Sequence, residues 1–82
     1  MTFNSLECDA VLHLNNGKYA LIEIKLGGED LINEGINNLK LLENKIINSK
    51  QCLPAFKMII TAGGDAYIKD DVYIVPINLL TD

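Results

Sequence analysis

Hydrophobic and polar residues alternate over two neighbouring stretches near the start of the chain. Residues 7–14, ECDAVLHL, and residues 18–26, KYALIEIKL, show the period of two that is typical of half-buried strands. The residues between them, Asn15, Asn16 and Gly17, form a turn signal. The pattern therefore predicts a β-hairpin.

The length of the turn determines which residues face each other across this hairpin. A three-residue loop with Gly17 in the left-handed conformation pairs Leu14 with Lys18, leaves one face wholly apolar and sets Asp9 opposite Glu23 on the other face. A two-residue turn would mix polar and apolar side chains on both faces, so the first register is preferred. The other expected pairs are Leu12 with Ala20, Ala10 with Ile22, Cys8 with Ile24, His13 with Tyr19, Val11 with Leu21 and Glu7 with Lys25.

The rest of the chain predicts one long helix followed by further strands. Apolar residues recur at spacings of three and four over residues 30–48, as on one face of a helix. Residues 49–55 form a loop, residues 56–61 a strand, residues 66–71 a short strand, and residues 72–77 a last strand that Pro76 ends or sends to an edge. A short terminal helix is expected at 78–80. The order predicts an α/β fold with a mixed sheet.

Length and composition set limits on what the chain can be. Its 82 residues permit one domain, 1–82, with a single core. No apolar run is long enough for a membrane span and no signal peptide is visible, so a cytoplasmic protein without a membrane partner is expected. A thiolate zinc site is disfavoured, because the chain has no CxxC pair and one histidine. Cys8 and Cys52 are predicted to be core or near-core thiols.

The charge balance bears on nucleic-acid binding. The net charge is −4 and arginine is absent, whereas phosphate contacts require clustered basic side chains. Taken alone, this argues against a general nucleic-acid binder. The four lysines at positions 40, 45, 50 and 57 are interpreted as solvated charges, with phosphate contacts as the alternative. His13 is interpreted as a surface or packing residue, and Gly27 and Gly28 as the boundary between strand and helix.

The charged face of the hairpin carries the candidate chemistry. Asp9 lies on one strand, and Glu23 and Lys25 lie two residues apart on the next, so two like charges become cross-strand neighbours and need a cation, a shared proton or Lys25 to relieve their repulsion. An Asp followed by Glu-x-Lys on the next strand resembles the core of the PD-(D/E)xK superfamily, the restriction-endonuclease-like nucleases. The resemblance implies that Asp9 and Glu23 hold Mg²⁺ or Mn²⁺, that the carbonyl of Ile24 adds a ligand, and that Lys25 lies beside the attacking water.

A narrower likeness covers nearly all 82 residues. The stretches LECDAVLHL, GKYALIEIKLGGEDLINEGINNL and VYIVPINLL are similar to the C-terminal region of large bacterial and archaeal proteins that carry an AAA-type ATPase domain. This implies a restriction-endonuclease-like mixed sheet, an ATPase domain in the same full-length chain, and DNA as a partner. Cys8 stands where the family motif has proline. Only six residues precede Glu7, so we expect a domain that lacks the family's first helix and self-associates through the surface this exposes.

Two functions from different classes follow from these observations. The first is a Mg²⁺-dependent nuclease-type domain that acts on DNA when joined to its ATPase partner, with little activity as this chain alone. The second is a catalytically inactive domain of the same fold that serves for interaction or dimerisation. A hairpin whose charges simply pair with one another, on a solvated surface, is the third interpretation.

Overall fold

The computed structural model describes residues 2–3 and 6–80, with side chains from Cys8 onward. Within this part of the chain, a helix packs on a five-stranded mixed sheet, and a two-stranded ladder lies at the N-terminal end. The elements are β1 (Thr2–Phe3), β2 (Leu6–Glu7), β3 (Ala10–His13), β4 (Tyr19–Ile24), α1 (Glu29–Asn48), β5 (Phe56–Thr61), β6 (Tyr67–Lys69), β7 (Val72–Pro76) and a 3₁₀ turn (Ile77–Leu79).

The large sheet has the strand order β3-β4-β5-β7-β6. β3 and β4 form the antiparallel hairpin, β4, β5 and β7 are parallel neighbours, and β6 pairs antiparallel with β7 at the far edge. The prediction of an α/β fold with a mixed sheet is confirmed. Pro76 ends β7 as expected, but β7 lies inside the sheet and not at an edge.

The turn of the hairpin has the predicted length and conformation. Gly17 has φ +82°, and the Leu14 N–H donates to the Lys18 carbonyl at 2.8 Å. Glycine suits this left-handed position because it has no Cβ to clash there. The four pairs from Ala10–Ile22 to His13–Tyr19 follow the predicted register. Turn chemistry and side-chain alternation were therefore sufficient to set the pairing of this hairpin.

The ladder stops three residues earlier than predicted, so the expected ladder pairs Asp9–Glu23, Cys8–Ile24 and Glu7–Lys25 do not form. β3 begins at Ala10, and the chain bends at Asp9. Glu7 pairs with Thr2 in the small N-terminal ladder, so the expected pairing of Glu7 with Lys25 is wrong, and the Glu7 side chain lies outside the described part. Cys8 packs in the core under α1 and not opposite Ile24 on the apolar face. The bend redirects the backbone, so the period of two no longer applies before Ala10.

Helix α1 supplies the core from one side of the sheet. Its buried residues Ile36, Leu39, Leu42 and Ile46 recur at spacings of three and four, which confirms the predicted stripe. They pack against one face of the sheet, which we call the helix face. Its buried residues include Leu21, Glu23, Lys57, Ile59, Thr61, Val72 and Ile74.

The opposite side of the sheet is uncovered by any described element. We call it the apolar face, and the strand register assigns to it Ala10, Leu12, Ala20, Ile22, Ile24, Phe56, Met58, Ile60, Ile68, Tyr73 and Val75. None of these residues is charged. The wholly apolar side predicted from the hairpin is thus the open one, and the helix covers the side that also carries Glu23 and Lys57. No helix in the described residues has the length and apolarity needed to cross a bilayer.

Two adjacent leucines of α1 provide a test of this packing. Leu42 is 0% exposed and Leu41 is 56% exposed. We expect Leu42→Ala to lower the free energy of unfolding by about 3 kcal/mol, because it removes buried methyl groups and leaves a cavity. Leu41→Ala should change it by about 0.5 kcal/mol or less. Urea denaturation followed by circular dichroism measures both, and equal losses would show that α1 packs on another face.

Candidate functional site

A cleft of about 700 Å³ lies between the bend before β3, the end of β4 and the middle of α1. Asp9, Glu23 and Lys25 all line it, so the structure brings the three predicted site residues together. The helix contributes a polar wall opposite them. The lining residues on α1 are Asp30, Asn33, Glu34, Asn37, Asn38 and Leu41.

Asp9 is held at the point where the hairpin ladder stops. Its Oδ2 accepts a hydrogen bond from the Ile24 N–H at 2.7 Å. The side chain thus takes the place of the strand carbonyl that would otherwise bond this N–H. Because the N–H and carbonyl of one strand residue point to the same side, the Ile24 carbonyl also points toward the β3 side of β4. The Ile24 side chain itself lies on the apolar face.

Glu23 is the most buried charged residue of the cleft, with 4% of its surface exposed. One of its oxygens, Oε1, accepts a hydrogen bond from Asn38 Nδ2 on the facing helix. Burial raises the pKa of Glu23, and a hydrogen bond to Asp9 together with the charge of Asp9 raises it further, whereas Asn38 and Lys25 act in the opposite direction. The two carboxyl groups are therefore neighbours in the cleft, although Asp9 lies at the bend and is not the predicted ladder partner of Glu23.

Lys25 reaches the same cleft along the surface of the helix. Its Nζ lies 3.7 Å from Glu34 Oε1, and its side chain is largely covered. The aliphatic stem passes over Gly35, where an added Cβ would lie 3.2 Å from Lys25 Cγ and 3.0 Å from Ile59 Cδ1. Glycine lowers helix stability by about 1 kcal/mol relative to alanine. Here it leaves the space through which Lys25 passes.

The helix residues of the site were missed in the sequence because their signal is weak. Asn38 adjoins the apolar stripe, between Gly35 and Leu39, and asparagine is a poor helix former in such a position. Glu34 and Asn38 are four residues apart and so lie on one side of α1. Two polar residues at this spacing, next to the apolar stripe, could have indicated that this side of α1 faces Glu23 on the preceding strand.

The donor set suits a hard divalent cation. Asp9 and Glu23 offer two carboxylates, and Mg²⁺ in proteins prefers one or two carboxylates with several waters. Among the described residues, no three His, Cys, Asp or Glu side chains are grouped as a full metal cage would require. Two carboxylates of this kind fit an ion that keeps most of its water shell.

Other residues singled out in the sequence lie elsewhere. His13 is exposed beside the hairpin turn, and Gly28 is the N-cap of α1 without a side-chain cap. Cys52 is exposed, so its assignment to the core or its border is wrong because the loop after α1 runs over the surface. Both cysteines are free.

Lys57 is also misassigned by sequence alone. It was expected to be solvated, but it is buried on the helix face, where its Nζ bonds Glu43 Oε1 at 2.8 Å. Its place opposite Leu21 in β4 directs it under α1. Lys40 does remain at the surface, 3.4 Å from Asp70. The partner Glu43 compensates the buried charge of Lys57.

Comparisons with known proteins return no relationship to set beside this geometry. No protein-family model, no curated protein and no solved structure matches the chain significantly.

The pairing of Asp9 with Glu23 leads to a prediction about stability. The pKa of Glu23 is raised above its ordinary value of 4.5, so the folded protein holds this proton at a pH where the unfolded chain has already lost it. The free energy of unfolding therefore falls as the pH rises from 4.5 through the raised pKa. We expect Glu23→Gln to raise the free energy of unfolding at neutral pH by about 0.5–1 kcal/mol, the order of a cross-strand pair. Below pH 4.5 the gain should vanish.

Urea denaturation at the two pH values measures this difference. Glu34→Gln is the matched control, since Glu34 lines the same cleft but is exposed and pairs with Lys25. That variant should be no more stable than the wild type at either pH. A loss of stability in Glu23→Gln at neutral pH would contradict the assigned repulsion.

Proposed function

We propose that this chain is a Mg²⁺-dependent phosphodiesterase domain of the restriction-endonuclease-like class. The observation that carries the proposal is the convergence of Asp9, at the bend before β3, and Glu23, on β4, on one cleft that Lys25 also lines. The three residues singled out by their spacing in the sequence line this cleft together, which supports the proposal. Asp9 and Glu23 would hold the metal, with the Ile24 carbonyl as a further ligand.

The electrostatics of the cleft support a cation there. Ionising Glu23 is unfavourable because the carboxyl is buried and faces Asp9. A divalent cation between the two carboxylates would offset both effects and favour the ionised forms. Binding should then release protons at mildly acidic pH, since the ligands must be deprotonated. A solvated pair of surface charges would show no such coupling.

Each side chain has a separate part in this proposal. A bound Mg²⁺ would polarise a phosphoryl oxygen and lower the pKa of a coordinated water. Asn38 holds Glu23 in place through its hydrogen bond to Oε1. Lys25 supplies a positive charge at the mouth of the cleft, where it can stabilise an anionic phosphate once it leaves Glu34.

DNA is the proposed substrate, on the basis of the family resemblance. With a net charge of −4 and no arginine, this chain offers few phosphate contacts of its own. An ATPase domain of the same full-length polypeptide, which the resemblance also implies, would supply the basic surface. A cytoplasmic location accords with this role.

The second candidate is an inactive domain of the same fold that serves for interaction. One observation favours it: the groups of the cleft already satisfy one another. Asp9 accepts from Ile24, Glu23 accepts from Asn38, and Lys25 pairs with Glu34. A site satisfied in this way can persist without catalysis.

Metal titration tests the ligand assignment. We expect the wild type to bind Mn²⁺ and Mg²⁺ in isothermal titration calorimetry, and we expect Asp9→Asn and Glu23→Gln to lower the affinity by at least about 10–100-fold, because each removes a charged ligand. Asp65→Asn is the control, as this exposed acid lies outside the cleft. Equal binding by all four proteins would place the metal elsewhere, and absence of binding by the wild type would remove the catalytic proposal.

A lysine variant separates metal binding from catalysis. Lys25→Met should retain metal affinity, because Lys25 is not a ligand, and should lower the rate of DNA cleavage by on the order of 100-fold. The measurement is Mn²⁺-dependent nicking of a supercoiled plasmid by the chain in its full-length polypeptide. Lys40→Met, a surface lysine on the same helix as the cleft wall, is the control. Metal binding by the wild type without any cleavage would favour the interaction module.

A further inference from the structure

We propose that the apolar face of the sheet is the interface of a symmetric homodimer of this chain. The face lies on the side of the sheet opposite α1 and the cleft. A continuous apolar row crosses all five strands at its centre. That row consists of Ala10, Ile22, Met58, Tyr73 and Ile68.

The parallel strands at the centre of the sheet favour a cover on this side. β4, β5 and β7 are parallel, and sheets made wholly of parallel strands occur almost only with both faces buried. α1 covers the helix face, and no described element covers the other. Tyr73 and Ile68 are both exposed, at 44% and 63%. Large uninterrupted apolar patches of this kind mark interaction sites on soluble proteins.

The size of the face fits a second copy. Its side chains expose on the order of 600 Å² per chain, so two copies would bury about 1,200 Å², the lower end of the range for specific protein interfaces. At the centre, Phe56, Met58 and Tyr73 line a shallow hollow of about 290 Å³ that a side chain of the partner can fill. A reversible association that depends on protein concentration is therefore expected.

The chemistry of the face also favours self-pairing. Because its strand positions carry no charge, an identical face brings no unpaired charge into the contact, and a two-fold arrangement matches apolar surface to apolar surface on both sides. Two sheets packed in this way lie about 10 Å apart with interdigitated side chains. The T-shaped pair of Phe56 and Tyr73, with ring centroids 6.0 Å apart, stabilises one wall of the hollow before association.

Sedimentation velocity from low micromolar to near-millimolar concentration tests the proposal. We expect a reversible monomer–dimer equilibrium for the wild type. Tyr73→Glu and Ile68→Lys should each weaken dimerisation at least about tenfold, because each places a charge on the contact. Both positions are exposed in the monomer, so neither change buries a charge in the core.

Ile47→Lys is the matched control, since Ile47 is 51% exposed but lies on α1. This variant should dimerise as the wild type does, and circular dichroism should show an unchanged fold for all four proteins. A wild type that stays monomeric at every concentration overturns the proposal. Binding of a hydrophobic dye to the face would not rescue it, because dye binding shows an exposed apolar surface and not a dimer. Dimers that survive both face variants also overturn it, because pairing would then occur at a sheet edge. Metal binding in the cleft is measured separately, so its failure does not affect this result.

Discussion

Helix α1 connects two strands, β4 and β5, that are parallel neighbours in the sheet. Such a connection is right-handed in nearly all proteins, so the chain direction fixes which side of the sheet the helix covers. Here it covers the side that carries Leu21 and Glu23. The buried acid, the cleft and the open apolar face all follow from this one constraint, since a helix on the other side would leave Glu23 in water.

The cleft exists because several local exceptions coincide with that helix. Asp9 interrupts the hairpin ladder and takes the Ile24 N–H, so its carboxyl is held beside β4. Gly35 leaves room for the stem of Lys25 between sheet and helix. Asn38 on α1 donates a hydrogen bond to the Glu23 carboxylate. Together these three residues place the Glu23 carboxyl and the Lys25 side chain beside the polar residues of α1 that line the cleft.

The two faces of the sheet serve opposite physical purposes. The helix face mixes Leu21, Ile59 and Ile74 with Glu23 and Lys57, and every buried polar side-chain atom among the described residues has a partner. The strand positions of the apolar face carry no charged side chain, and covering this face removes apolar surface from water. A dimer formed there would leave the cleft of each copy open on the outside, so assembly and metal binding can act independently.

The sequence by itself determined the local features of this protein. Alternation and the Gly17 turn set the hairpin register from Ala10 to His13, and spacing set the buried stripe of α1. The Asp and Glu-x-Lys pattern singled out three residues that the structure brings to one cleft. These features depend on neighbours in the chain, which periodicity reports directly. Only the tertiary structure decided which face α1 covers, that the ladder ends at Asp9, that Lys57 is buried, and that Asn38 contacts Glu23. Each of these depends on residues brought together from distant parts of the chain, where no local pattern records the contact.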